Sequence, residues 1–199
     1  MAELTQDLAA AVAAAVQALR RGEVIAYPTE TFYGLGVDAC DEAALARLAA
    51  LKGLGADRAI SVLVVGRPML DLLCAPPSAT ACRLMDAHWP GPLTLALPAR
   101  AGLPPALVAD GCVAVRESPH PVARALVAGL GRPLTTTSAN RTGQPPATTA
   151  AAVRASFPAG CHVVEGGATA GGAPSTLVRV RGEVVEVLRQ GAIHLDGGG

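Results

Sequence analysis

Residues 133–146 read PLTTTSANRTGQPP. An apolar stretch, PHPVARALVAGL (119–130), leads into them, and the strand pattern RPLTTT (132–137) runs out in a row of hydroxyls: Thr135, Thr136, Thr137 and Ser138. The apolar approach puts this segment inside. Its polar end then needs partners, because a buried hydroxyl without a hydrogen bond is costly. A helix feeding a strand that ends in small donors and acceptors fits an α/β sheet, where ligands bind beyond the carboxyl ends of the strands.

Working outward, CVAVR (112–116) and LTLALP (93–98) read as strands on the N-terminal side. Before them come a helix at 5–20 closed by Gly22, the strand EVIAY (23–27), and a polar, Gly-punctuated loop PTETFYGLGVD (28–38). DEAALARLAALK (41–52) sets Leu45, Leu48 and Leu51 at helical spacing, with Asp41 as N-cap. AISVLVV (59–65) reads as a strand, MLDLLCA and SATACRLMDAH (68–88) as helical pieces, and GLPPALVADG (102–111) as a loop. After the opening stretch come a helix at 149–157 and the short strands CHVVE, STLVRV and EVVEVL. Strands and helices alternate, with adjacent strands late in the chain. The fold class is α/β with an open, twisted, mixed sheet and flanking helices.

Composition narrows the function classes. The chain has 199 residues, so one domain over 1–199 is the expectation. Hydrophobic residues make up 51% and aromatics 3%, which predicts an aliphatic core. Net charge is zero, so no global field draws the chain to nucleic acid or anionic membrane. Cys40, Cys74, Cys82, Cys112 and Cys161 show no CxxC pairing and read as buried, reduced thiols of a cytoplasmic protein. The run LAAAVAAAV follows Asp7 and precedes Arg20 and Arg21; it is too short to span a bilayer and reads as an Ala-rich helix.

Several polar groups stand where strands or helices end. PTET (28–31) follows the first strand, Arg116 ends another, and Ser138 and Asn140 follow a third. Each has a plain alternative. Ser138-Ala-Asn140 also suits an Asx turn, and Lys52 also complements a helix dipole. Arg116 needs either a ligand anion or an internal Asp or Glu. His88, His120, His162 and His194 lack metal-ligand spacing. No Walker P-loop, Rossmann fingerprint or GxSxG is present, and no Cys or Ser has an obvious base. What remains is a set of hydroxyls, backbone amides and cations, which suits the positioning of anionic groups.

Taken in order, IAYPTETFYGLGVDA, the helix ending in Lys52, HWPGPLTLALPA, VAVRESPHPVA, TTTSANRTGQPP, STLV and LRQGAI resemble the YrdC/Sua family of threonylcarbamoyl-AMP synthases, from about residue 10 to about 193. The length is similar to that of the short, single-domain members. The resemblance implies a YrdC-like domain with a large concave site. It implies condensation of L-threonine, bicarbonate or CO2, and ATP into threonylcarbamoyl-AMP and pyrophosphate, for threonylcarbamoyladenosine formation on tRNA. By motif position, Thr31, Arg116, Thr136 and Ser175 fall on the threonine side. Lys52, Arg58, Ser138 and Asn140 fall on the nucleotide and catalytic side, with Cys112, Pro146 and Arg189 as further nucleotide contacts. Mg²⁺ would accompany ATP. Glu30 and Asp38 are nearby carboxylates but neither stands out as a metal ligand, so none is assigned. Implied partners are downstream threonylcarbamoyl transferase components and tRNA or double-stranded RNA; no membrane is implied.

Two positions depart from the family pattern. The KxR motif reads Lys52-Gly53-Leu54, replacing the arginine with a neutral side chain, and Leu63 stands where some members carry a polar residue. Three readings stay open: an active synthase in which Arg58 compensates, a paralogue with a shifted carbamoyl or acyl substrate, and a non-catalytic RNA-binding module.

Overall fold

The computed structural model describes residues 4–55 and 58–195. The Thr5 hydroxyl accepts from the Leu8 amide and caps α1 (Gln6–Arg20). Next come β1 (Ile25–Pro28), β2 (Tyr33–Gly36), α2 (Glu42–Lys52) and β3 (Ser61–Leu63). A 3-10 turn at Arg67–Leu72 leads to α3 (Ala79–His88), β4 (Leu93–Pro98), β5 (Val108–Ala109) and β6 (Cys112–Arg116). The chain then forms α4 (Pro121–Leu130), β7 (Leu134–Ser138), α5 (Ala150–Ser156), β8 (His162–Val163), β9 (Thr176–Arg181) and β10 (Val184–Arg189). Asp41 caps α2 through its side chain at 3.0 Å, and Gly53 closes that helix at φ 69°, a conformation that favours glycine.

One sheet runs in the order β10-β9-β4-β6-β3-β7-β2-β1-β8, with β5 on the side of β6. β1/β8, β3/β6 and β4/β9 pair in parallel and the remaining pairs are antiparallel, so the sheet is mixed as expected. Side chains alternate across it. Leu35, Val62, Leu95 and Val115 face one core, shared with Leu45 and Leu48 of α2, Met85 of α3 and Val153 of α5. On the other face α1 and α4 bring Val16, Leu19, Val122 and Leu126 against Ile25, Tyr27, Leu63 and Leu134. That second cover packs on β8, β1 and β7. Gly34, Ser61, Thr94 and Arg116 alternate with residues of the first core, so they look out on the same side as α1 and α4, where they line an open cavity.

The stretch 28–38 is not the loop its polarity and glycines suggest. β2 pairs antiparallel with β1 and with β7. The glycines are there for close approach: a Cβ on Gly36 would lie 2.6 Å from the Thr135 carbonyl oxygen and 2.8 Å from the Tyr27 ring. The aliphatic core has two aromatic exceptions in this hairpin. Tyr27 and Tyr33 are fully buried, each donating its hydroxyl to a carbonyl, of Thr135 at 2.9 Å and Gly167 at 2.8 Å. The cysteines are free, but only Cys74 and Cys112 are buried, while Cys40 is exposed. The first part of 68–88 is a 3-10 turn, and 102–111 contains a second 3-10 turn and the whole of β5.

Candidate active site

A cavity of about 370 Å³ occupies the uncovered part of the sheet. The strands set out its floor because each contributes a small or polar residue at the alternating position: Gly34, Ser61, Thr94 and Thr136. All the residues singled out in the sequence line it except Cys112 and Pro146. Cys112 begins β6, and four residues of strand carry the chain away from it to Arg116 at about 3.3 Å each. It packs in a β4/β6/β5 register with Pro98 and Ala109. Pro146 sits in the loop ahead of Ala147, whose backbone bonds to Ala139 and Tyr33 hold that loop against β2 and β7.

At one end stands Lys52, 7% exposed. Its ammonium donates to the Ser138 carbonyl, to Ser138 Oγ at 3.2 Å and to Asn140 Oδ1 at 3.4 Å. Among the described residues no carboxylate pairs with it. Burial first, then the positive charge of Arg58, lowers its pKa to about 8. The turn reading of the Ser-x-Asn pair holds, and both residues also line the cavity. Asn140 Nδ2 donates to the carbonyls of Arg141 and Gln144 at 3.0 and 2.7 Å, which shapes the loop and aims Oδ1 at Lys52. Thr142 ties the same loop to the end of α2 through the Gly53 carbonyl at 3.2 Å. Arg58 and Leu54 complete this end, the leucine also packing on the first core.

At the other end stands Arg116, 5% exposed. Its Nη1 pairs with Glu30 Oε1, and Ser118 Oγ donates to Glu30 Oε2 at 2.6 Å. The internal carboxylate is therefore real, yet Arg116 still lines the cavity. Thr31 lies beside it: its amide and hydroxyl contact Thr29 Oγ1, both at 3.3 Å. On β4, the strand next to β6, Thr94 shares a hydroxyl contact of 2.8 Å with Ser175. Arg189 donates to the Ser175 carbonyl at 2.9 Å and to its Oγ at 3.3 Å, so it stands with the Ser175 group. Partial burial, then the positive charge of Arg116, lowers the Arg189 pKa.

Thr94 was not singled out from the sequence; a lone Thr in the apolar strand LTLALP was the available signal. Glu30 was also missed as the partner of Arg116, and Ser118 as the hydroxyl that holds Glu30. Leu63 is 1% exposed and packs with Tyr27 and Leu134 under α1 and α4, so it does not line the cavity and leaves the site's polarity unchanged. His120 caps α4, accepting from the Val122 amide at 3.3 Å. For a metal the described residues do not fit. No group of three or more His, Cys, Asp or Glu converges among them. Glu30 is taken by Arg116 and Ser118, and Asp38 by the Cys40 amide and Arg132.

The arrangement offers cations, hydroxyls and backbone groups around one cavity. It can hold a polyanion at the Lys52 end and a carboxylate at Arg116.

A family model described as Sua5/YciO/YrdC, telomere recombination, matches residues 17–191. The threonylcarbamoyl-AMP synthase of Chromohalobacter salexigens is 40% identical over 86% of this chain and 94% of its own length. That of Thiobacillus denitrificans is 44% identical over 80% and 86%. The crystal structure of Sua5 from P. abyssi complexed with L-threonine superposes with a TM-score of 0.85 at 34% identity, covering 90% of this chain and 54% of the other. With the family model spanning nearly the whole sheet and the cavity on the uncovered face, the chain belongs to the Sua5/YciO/YrdC family.

Proposed function

We propose that this chain is an L-threonylcarbamoyl-AMP synthase, joining L-threonine, bicarbonate or CO2, and ATP into threonylcarbamoyl-AMP with release of pyrophosphate. The observation that carries it is the cavity with a carboxylate-free ammonium at one end and a guanidinium at the other. The names of the curated relatives and the threonine complex of the P. abyssi protein support the choice of substrates.

The chemistry needs no protein nucleophile. The threonine amine adds to CO2 and loses a proton, giving a carbamate. A carbamate oxygen then attacks the α-phosphorus, the bond to the β-phosphate oxygen breaks, and pyrophosphate leaves. Arg116 and Thr31 hold the amino acid, with Thr136 and Ser175 around it. Lys52 and Arg58 neutralise the charge that grows on the leaving pyrophosphate, the kind of preorganised stabilisation that contributes most to such transfers. Ser138 and Asn140 hold Lys52 in place and yield their weaker contacts to phosphate oxygens. Mg²⁺ would arrive on the triphosphate, since this ion commonly binds through substrate phosphates and retained water.

The setting we propose is the cytoplasm, with tRNA and a downstream threonylcarbamoyl transferase as consumers of the product. No described helix is long and apolar enough to cross a membrane. A second reading, a paralogue with a shifted carbamoyl or acyl substrate, is favoured by Leu54, which presents an apolar side chain to the cavity. The test is pyrophosphate release by purified protein with ATP, Mg²⁺ and bicarbonate across an amino-acid panel, with Leu54→Arg alongside. Threonine-dependent release by the native chain supports the proposal. Release only with another acceptor replaces it with the second reading, and release only by Leu54→Arg means that the pocket is kept while the native activity is lost or redirected.

A further inference from the structure

The two ends of the cavity differ in net charge, and one residue behind the wall makes the difference. At the Lys52 end, Lys52 and Arg58 carry two positive charges, with no carboxylate among the described lining residues. At the Arg116 end, Arg116 and Arg189 also carry two, but Glu30 cancels one. Glu30 does not line the cavity; it sits behind Arg116, its side chain 17% exposed. Both its oxygens are engaged, one on Arg116 Nη1 and one on Ser118 Oγ, so it is fixed in place. Among the described bonds Arg116 gives Glu30 only Nη1, which leaves the rest of the guanidinium fork for a ligand carboxylate.

We infer that Glu30 is a specificity-determining residue that keeps the Arg116 end at one net positive charge, so that it accepts an amino-acid carboxylate and refuses phosphate polyanions. This inference rests on the proposed synthase activity for the identity of the two ligands. A substrate pair consisting of a triphosphate and a mono-carboxylate poses a sorting problem in a cavity lined by cations at both ends. A polyanion gains more from an added positive charge than a monoanion does, because the Coulomb energy scales with the product of the charges. Without the Glu30 charge both ends would carry two positive charges and phosphates would compete for the threonine position. A like-charge or charge-deficit device of this sort discriminates by disfavouring the wrong ligand rather than by improving the right one.

The test uses the intact chain and Glu30→Gln, which keeps an acceptor for Arg116 and a partner for Ser118 while removing the charge. Inorganic pyrophosphate and L-threonine are titrated separately and together by calorimetry, in magnesium-free buffer at low salt. In the native chain we expect one pyrophosphate per molecule and no competition with threonine. In Glu30→Gln we expect a second pyrophosphate site, and a threonine dissociation constant that rises in proportion to pyrophosphate, about threefold when pyrophosphate stands at about twice its dissociation constant for that site. Lys52→Met separates the ends: alone it loses its pyrophosphate, and combined with Glu30→Gln it regains one that threonine displaces. A merely structural Glu30 would lower stability or threonine affinity without creating a pyrophosphate site, and that result overturns the inference. So does competition already present in the native chain. If the native chain binds no threonine, the synthase reading fails while the second pyrophosphate site in Glu30→Gln still reports on the charge role of Glu30. Absence of that second site fails the inference alone.

Discussion

The two ends of the cavity handle a buried cation in opposite ways. Arg116 is paired with Glu30 inside the protein, whereas Lys52 makes do with a carbonyl, a hydroxyl and an amide oxygen. A buried ion pair is weak evidence for stability, but removing one partner of it is costly. An ammonium held only by neutral oxygens meets the other half of that rule: it stays partly desolvated and its pKa falls. The paired end is thus set for orientation, and the unpaired end for attracting charge. Ligand binding completes the second and only adds to the first.

The largest way to break this contrast is Arg116→Ala. It leaves Glu30 without its cation and removes the carboxylate contact, so threonine-dependent turnover should fall by more than about 10²-fold, with melting temperature lowered as well. Steady-state kinetics with a thermal melt checks both. Arg116→Lys should not restore activity, because an ammonium cannot reproduce the planar fork.

Lys52→Met comes next. Its similar volume should preserve the fold, while nucleotide affinity drops by about 2–4 kcal/mol, judged from single preorganised donors elsewhere. Calorimetric titration of ATP reads this directly, and the threonine dissociation constant should change far less.

A pH series sharpens the same end. The Lys52 pKa falls from an ordinary 10.5 to about 8 in the folded chain. Between those values the unfolded chain binds the extra proton, so the Lys52 contribution makes stability rise with pH across that window. Below about pH 8 the full cost of the buried charge is present. Nucleotide binding follows the opposite trend: it favours the ammonium, so affinity should decline as pH rises above about 8. Near that pH, binding should take up about half a proton, visible as a dependence of the binding enthalpy on buffer ionisation. Lys52→Met should abolish both trends.

Smaller effects are expected at the exposed Arg58 and at Leu54. Arg58→Ala should weaken ATP binding by about threefold to tenfold at low salt and less at high salt, as screening predicts. Leu54→Arg should tighten it by a similar factor. Cys112→Ala should leave nucleotide affinity unchanged, since Cys112 lies outside the cavity lining.

Much of this was legible in the sequence. The apolar runs and caps gave α2, α4, β4, β6 and β7 within a few residues, because their periodicity is local. β2 was hidden, since its glycines and tyrosine read as a loop until Tyr27 and Thr135 are packed against them. Most of the candidate residues converge on one cavity, and the ordered series of motifs already pointed to them.

The sequence by itself determined the alternation of strands and helices, the polar residues that end the strands, and the family to which the chain belongs. Only the tertiary structure decided how those residues are partnered. Glu30 meets Arg116 and Lys52 meets Ser138 across 86 residues of chain in each case. Such pairs depend on the order in which β2, β7, β3 and β6 lie side by side, and that order is not a property of any local window. The charge of each end follows from it: a carboxylate arrives behind Arg116 and none of the described ones reaches Lys52, because the sheet brings Glu30 to one and only neutral oxygens to the other.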